Sequence, residues 1–172
     1  SRLEAQVKSL KSMISSLDSQ NDAYQAKMDK LEAQSISNTT GSSGNGVLSS
    51  GMSFPLTCNY YVSQHYGHNG HKGVDIAGAN INGQPVYAAA GGTVISASYH
   101  SSWGSNVLID HGNGVWTRYA HLSSIGVSAG QTVSQGQYIG KVGSTGNSSG
   151  PHLHFEVYVN KNRVNPEPYI GL

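Results

Sequence analysis

The sequence predicts a mainly β, antiparallel domain preceded by an α-helical coiled coil. Three observations predict it. Apolar residues recur in alternating steps of four and three from Leu3 to Leu31. A Gly/Ser-rich stretch follows. Beyond it, short β-rich runs are punctuated by glycine, and no segment carries a helical period.

The first segment, residues 1–34, places Leu3, Val7, Leu10, Ile14, Leu17, Tyr24, Met28 and Leu31 on one seam. That is the heptad pattern of a coiled coil. Asn21 fills a seam position, where a buried amide fixes register and favours two strands. A single amphipathic helix packed on its own domain is the other reading. The narrow seam, flanked by Lys, Ser, Gln and Asp, favours the coiled coil. Residues 35–53 are dominated by Ser, Gly, Asn and Thr. Such a stretch buries too little apolar surface to order itself, and it reads as a flexible linker.

Residues 54–172 form the globular segment. Candidate strands are Pro85–Ala89, Thr93–Ser98, Asn106–His111, Val115–His121, Tyr138–Val142 and His152–Val159. Gly91-Gly92, Gly112-Asn113-Gly114, Ala129-Gly130 and Gly143-Ser144-Thr145-Gly146 supply the turns. Such strands must close or stack to bury one face.

The chain has 10 Lys and Arg against 9 Asp and Glu, a net charge of +1. No basic stripe is available to neutralise phosphates, so nucleic acid is not an expected partner. No apolar run is long enough to span a bilayer. Cys58 is the single cysteine, so no internal disulfide forms, and it reads as a small apolar residue. Any metal site must therefore use histidine and carboxylate.

Histidines concentrate in three short motifs: His71-Lys72-Gly73-Val74-Asp75, with His68 just before it; Tyr119-Ala120-His121-Leu122; and Pro151-His152-Leu153-His154-Phe155-Glu156. On a strand, His152 and His154 share one face, while Leu153 and Phe155 point to the core. His71 and Asp75 are too far apart in an extended chain to meet, so a short loop bending at Gly73 is expected between them. With one histidine of the pair they make three ligands. Catalytic zinc takes three protein ligands and keeps a fourth position open. The nitrogen and oxygen mixture suits Zn²⁺ over Mg²⁺ or Ca²⁺. His65, His100 and His111 read as ordinary surface or turn residues, and His68 as a residue of the cleft rim.

These motifs, with Pro85-Val86-Tyr87-Ala88-Ala89, Gly92-Thr93-Val94 and the run Gly143 to Glu156, resemble the lysostaphin-like (LytM-like) zinc endopeptidases. The resemblance covers residues 66–168 and excludes the coiled coil. It implies a narrow groove with one zinc ion on its floor. It implies His71, Asp75 and His154 as ligands, and His121 and His152 as unliganded histidines that handle the proton of an activated water. The implied substrate is the peptide part of peptidoglycan, in the bacterial cell envelope or outside it. No His-Glu-x-x-His helix supplies a glutamate base, so a histidine is expected in that role.

Tyr66, His68, Ser144, Thr145, Gly146 and Glu156 are expected to line the groove, with Glu156 also placed to orient a histidine. A bulky group at Gly146 would then raise KM more than it lowers kcat. A second copy or a membrane or cell-division component is the expected coiled-coil partner. The competing readings are a silent regulator of other wall hydrolases, a latent enzyme blocked by its own N-terminal segments, and a wall-binding module with a closed structural zinc site.

Overall fold

The computed structural model describes residues 51–172, together with the isolated helical, exposed positions Arg2, Gln6 and Ser9. The expected coiled coil and nearly all of the linker otherwise lie outside the described residues. The strands are β1 (Tyr61–Gln64), β2 (Val74–Ala77), β3 (Pro85–Tyr87), β4 (Gly92–His100), β5 (Gly104–Asp110), β6 (Val115–Ile125), β7 (Thr132–Val133), β8 (Tyr138–Val142), β9 (Leu153–Val159) and β10 (Asn162–Val164). A short helix, α1 (Glu167–Ile170), follows.

Every described pairing is antiparallel, as expected. The main path runs β1-β2-β9-β6-β5-β4-β7, and a branch leaves β6 through β8 to β3. Val74 and Ile76 of β2, Val86 of β3, Tyr119 of β6, Ile139 of β8 and Phe155 of β9 share one buried cluster. The branch therefore folds back over the main sheet and covers its apolar face. Leu153 and Phe155 are fully buried there, as the alternation of β9 requires.

The opposite face carries the polar residues. Register places Asp75 of β2 and Ala120 of β6 on either side of His154 in β9. It also places Arg118 opposite Glu156 and Trp116 opposite Tyr158. Cross-strand neighbours share a face, so these seven residues lie on one surface.

Strand β6 breaks its own alternation. It pairs with β9 up to Ala120 and with β8 from Leu122. His121, between the two, has a φ of 60°. A regular strand would send His121 into the core with Tyr119. The left-handed conformation turns it to the polar face instead, at a backbone cost of about 1–3 kcal/mol. Its N–H donates to Trp103 O at 2.7 Å, which holds the bend against the β4–β5 turn.

The sequence reading placed Asp75 on a loop, but it sits within β2. The reason is that all four residues of β2 are buried, so the strand shows no alternation to read. β1, β7, β10 and α1 were also unread, since each is short or lacks a clean pattern. Met52, assigned to the linker, is buried in the core, and Ser53 N–H donates to Ala89 O at 2.8 Å. The domain thus begins slightly earlier than Phe54. Met52→Ala should lower unfolding free energy by about 2 kcal/mol, as for other buried methionines. Urea denaturation showing no loss would return Met52 to the linker.

Candidate metal centre

Asp75 stands at the centre of the polar face. His71 Nε2 lies 3.1 Å from its Oδ1, His154 Nδ1 2.7 Å and His152 Nε2 3.7 Å. One donor atom each from His71, Asp75 and His154 falls within 4.8 Å of the others. Donors on a tetrahedral zinc ion, at bond lengths near 2.1 Å, stand about 3.4 Å apart. His71 Nε2 and Asp75 Oδ1, 3.1 Å apart, are close to that spacing.

The fit has a second sign. His71 Nε2 is buried and makes no hydrogen bond among the described residues, although Asp75 is within ion-pair distance. A buried ring nitrogen without a partner costs stability unless something binds it. A divalent cation between these three residues satisfies it. Burial also depresses the pKa of His71 against the attraction of Asp75, which keeps the ring in the neutral, ligating form.

His154 is held from both sides. Nδ1 donates to Asp75, and Nε2 faces Glu156 Oε1 at 3.1 Å. Burial disfavours its charge. The hydrogen bonds to Asp75 and Glu156 outweigh that and push its pKa up to about 9. Glu156 is itself almost fully buried, accepts from Tyr158 Oη at 2.5 Å and lies 3.6 Å from Arg118 Nε. A carboxylate behind a metal-ligating histidine fixes its tautomer and orientation.

His121 and His152 stand beside this group with ring centroids 4.7 Å apart. His121 Nδ1 donates to Thr145 O at 2.7 Å, and His152 Nδ1 donates to Gly150 O at 2.8 Å. Carbonyl oxygens only accept, so in each neutral ring the bare lone pair is on Nε2. Burial lowers the pKa of His121 against its bond to Thr145, so that ring is neutral at pH 7.

Gly73 has a role other than the expected bend. A Cβ there would stand 2.7 Å from His154 Cε1 and 2.6 Å from Phe155 O. The glycine lets the His71–Asp75 segment lie flat on the ligand ring.

A cleft of about 450 Å³ opens over these residues, within the usual range for ligand sites. Of the six residues expected in the groove, Glu156 lines it. Tyr66 instead donates from its hydroxyl to Arg163 O at 3.2 Å, and His68 sits exposed in a 3-10 turn. Ser144 pairs with Ser148, and Thr145 Oγ1 donates to Leu122 O at 2.6 Å. Asn147, Ser148 and Ser149 line the wall in their place. Trp103 and Arg163 also line the cleft and were missed in the sequence. A lone tryptophan in a Ser/Gly turn was the available signal for the first. Nothing comparable marked Arg163.

The chain matches peptidase family M23 over residues 69–166, more than half its length. It belongs to that family. The M23 domain is 47% identical over 95 residues to the peptidoglycan DD-endopeptidase ShyA of Vibrio cholerae, covering 55% of this chain and 22% of ShyA. A zinc-containing peptidase from Vibrio cholerae superposes with a TM-score of 0.60 at 35% identity, over 67% of this chain and 39% of that one. Lysostaphin from Staphylococcus simulans gives a TM-score of 0.60 at 34% identity, over 64% and 49%. The chain spans only about a fifth of the length of the curated relatives it matches.

Two predictions concern this M23 site. Gly146 has a φ of 73°, and a Cβ there would lie 2.2 Å from Gly104 N. Gly146 therefore joins the 143–150 loop to the β4–β5 turn rather than widening the groove. Gly146→Ala should lower kcat, because Thr145 O next to it orients His121. A change confined to KM would contradict this.

The second concerns pH. Protonated His154 stabilises the fold fully below about pH 6.5, the ordinary histidine value, and this is lost as pH rises through about 9. The downward shifts of His71, His111 and His121 act below pH 6.5. Protein stripped of metal with a chelator should therefore lose thermal stability between pH 6.5 and 9. Saturating zinc should reverse the trend, since ligation needs the His154 Nδ1 proton removed. A flat Tm in stripped protein across that window would contradict the assignment.

Proposed function

We propose that this chain is a zinc-dependent endopeptidase that hydrolyses peptide cross-links of bacterial peptidoglycan. The observation that carries the reading is the convergence of His71, Asp75 and His154 beside two histidines whose Nε2 atoms are bare. The relatives named above, a peptidoglycan DD-endopeptidase and a zinc-containing peptidase among them, support the substrate and the ion.

One zinc per domain, held by His71, Asp75 and His154, supplies Lewis-acid polarisation and a water of lowered pKa. The chain's own residues do the rest. Nε2 of His121 or His152 accepts the water's proton, and the same ring, once protonated, donates it to the leaving amine. The second ring donates to the oxygen on which negative charge builds. Asp75 Oδ1 lies 3.7 Å from His152 Nε2, at the edge of the same group. Glu156 keeps His154 oriented.

The protein acts in the cell envelope or outside the cell. A second copy or an envelope-bound component pairs with the N-terminal segment, and nucleic acid is no partner. The silent-regulator reading is weaker, because the full ligand set and both flanking histidines are present. A closed structural zinc site needs a fourth protein ligand, and among the described residues the group has three.

Digestion of purified peptidoglycan, with mass analysis of the products, tests the proposal. Zinc-loaded protein should release cleaved cross-links. His71→Ala and His154→Ala should lose both zinc and activity. His121→Ala and His152→Ala should retain zinc and lose about 10²–10⁴-fold in kcat. Retained turnover in both of the last two variants would remove histidine from the proton transfer. No turnover by the parent, in full length or from Gly51 onward, would return the protein to a regulatory role.

A further inference from the structure

We propose that the Arg163 guanidinium forms a carboxylate subsite, so that the peptides this cleft accepts carry a free carboxylate near the bond to be cut. The inference deepens the endopeptidase reading and rests on it for the peptide nature of the ligand.

The first argument is charge. Behind the metal ligands, one carboxylate meets two guanidiniums. Glu156 Oε2 lies 3.6 Å from Arg118 Nε, and Oε1 lies 3.4 Å from Arg163 Nε. Lys72 and Arg163 are the lysine and arginine of the cleft lining. The two acids among the described lining residues are Asp75 and Glu156, and both are already engaged by histidines. An anionic ligand therefore meets these two cations and no free carboxylate among the described lining residues.

The second argument is donor inventory. Arg118 is buried, donates from Nη1 to Asn106 Oδ1 at 2.5 Å, and stacks 3.8 Å from the Trp103 ring centroid. It belongs to the interior. Arg163 is different. Its side chain is 33% exposed and lines the cleft. Its Nε donates to Tyr158 Oη at 3.2 Å. Its two Nη nitrogens make no hydrogen bond to any of the described residues, leaving their N–H donors without an acceptor.

The third argument is preorganisation. Nε is anchored by Tyr158 and Glu156. The guanidinium carbon sits 5.3 Å from the Trp103 ring centroid and 5.6 Å from that of Tyr158. Tyr66 Oη holds the Arg163 carbonyl. A planar fork fixed along one edge, with its outer edge free, matches a carboxylate in two parallel bonds. The subsite also borders the reaction centre. Glu156 Oε1 touches both Arg163 Nε and the ring of His154.

The test uses two probes and the full zinc-loaded chain. One is a stem-peptide dimer cross-linked through D-Ala to diaminopimelate, with its carboxylates free. The other is the same dimer with carboxamides. Hydrolysis is read as kcat and KM. Binding is read separately by calorimetry on the His152→Ala background, where turnover is blocked.

The parent should favour the free dimer at least tenfold in both kcat/KM and Kd. In Arg163→Gln that ratio should collapse toward one, mostly through KM. Arg163→Lys, which keeps the charge but not the fork, should retain part of it and serves if the Gln variant misfolds. A parent without preference overturns the subsite, and so does a ratio that survives Arg163→Gln. Equal loss on both dimers also overturns it, since Arg163 would then act only by supporting Glu156. Hydrolysis of both dimers without preference leaves the endopeptidase reading standing and removes the subsite. Discrimination in Kd that depends on Arg163, without hydrolysis of either dimer, does the reverse. Failure of either dimer to bind removes the subsite as well.

Discussion

The site is organised by a buried carboxylate. Asp75 lies in the middle of a sheet, with little exposure, where an uncompensated negative charge would be expensive. Its compensation comes from three histidines: His154 is delivered by the neighbouring strand in register, and His152 comes from just before that strand. The spacing of Asp75 and His154 is therefore a property of β-sheet geometry, whereas His71 is brought in by the segment that precedes β2. The same logic continues along β9. His154 leans on Glu156, which leans on Tyr158 and two arginines. Each polar residue is satisfied by the next, from the cleft floor to the edge of the sheet. A chain of that kind gives ligands little freedom to rotate, which favours a defined coordination geometry.

Two loops complete the cleft, and they are bound to each other. The β4–β5 turn supplies the carbonyl that holds the His121 backbone, and the 143–150 loop supplies the carbonyl that orients its ring. Asn147 N–H donates to Ser102 O at 2.9 Å, and Gly104 and Gly146 pack backbone to backbone. A change in one wall is therefore transmitted to the other and to His121 between them. Variation in substrate preference within such a cleft is easier on outward side chains, such as Asn147 and Ser149, than in the loop backbones.

Much of this was legible in the sequence. Period-two alternation placed His152 and His154 on one face and sent Leu153 and Phe155 to the core, and the structure agrees. The strands from Pro85 to Val142 were visible because glycine turns punctuate them. What stayed hidden depends on long-range contact. β2 shows no alternation because both its faces are covered. Gly73 was read as a hinge, whereas its value lies in an approach to a residue far away in sequence. Arg118 was a signal left unread: a lone guanidinium inside the apolar run of β6 requires a buried partner. The partner, Glu156, can be named only once the β6–β9 register is known.

The left-handed backbone at His121 has an evolutionary corollary. The fold holds an energetically awkward residue at the point where its longest strand bends, and the ring it places on the cleft donates to Thr145 O. Exchange for glycine would relax that backbone. In a descendant with no use for hydrolysis, the relaxed backbone would offset the lost bond to Thr145 O, so this imidazole is cheap to lose. If His121 carries the proton as proposed, its retention at a strained position is a better record of selection for turnover than that of any core residue.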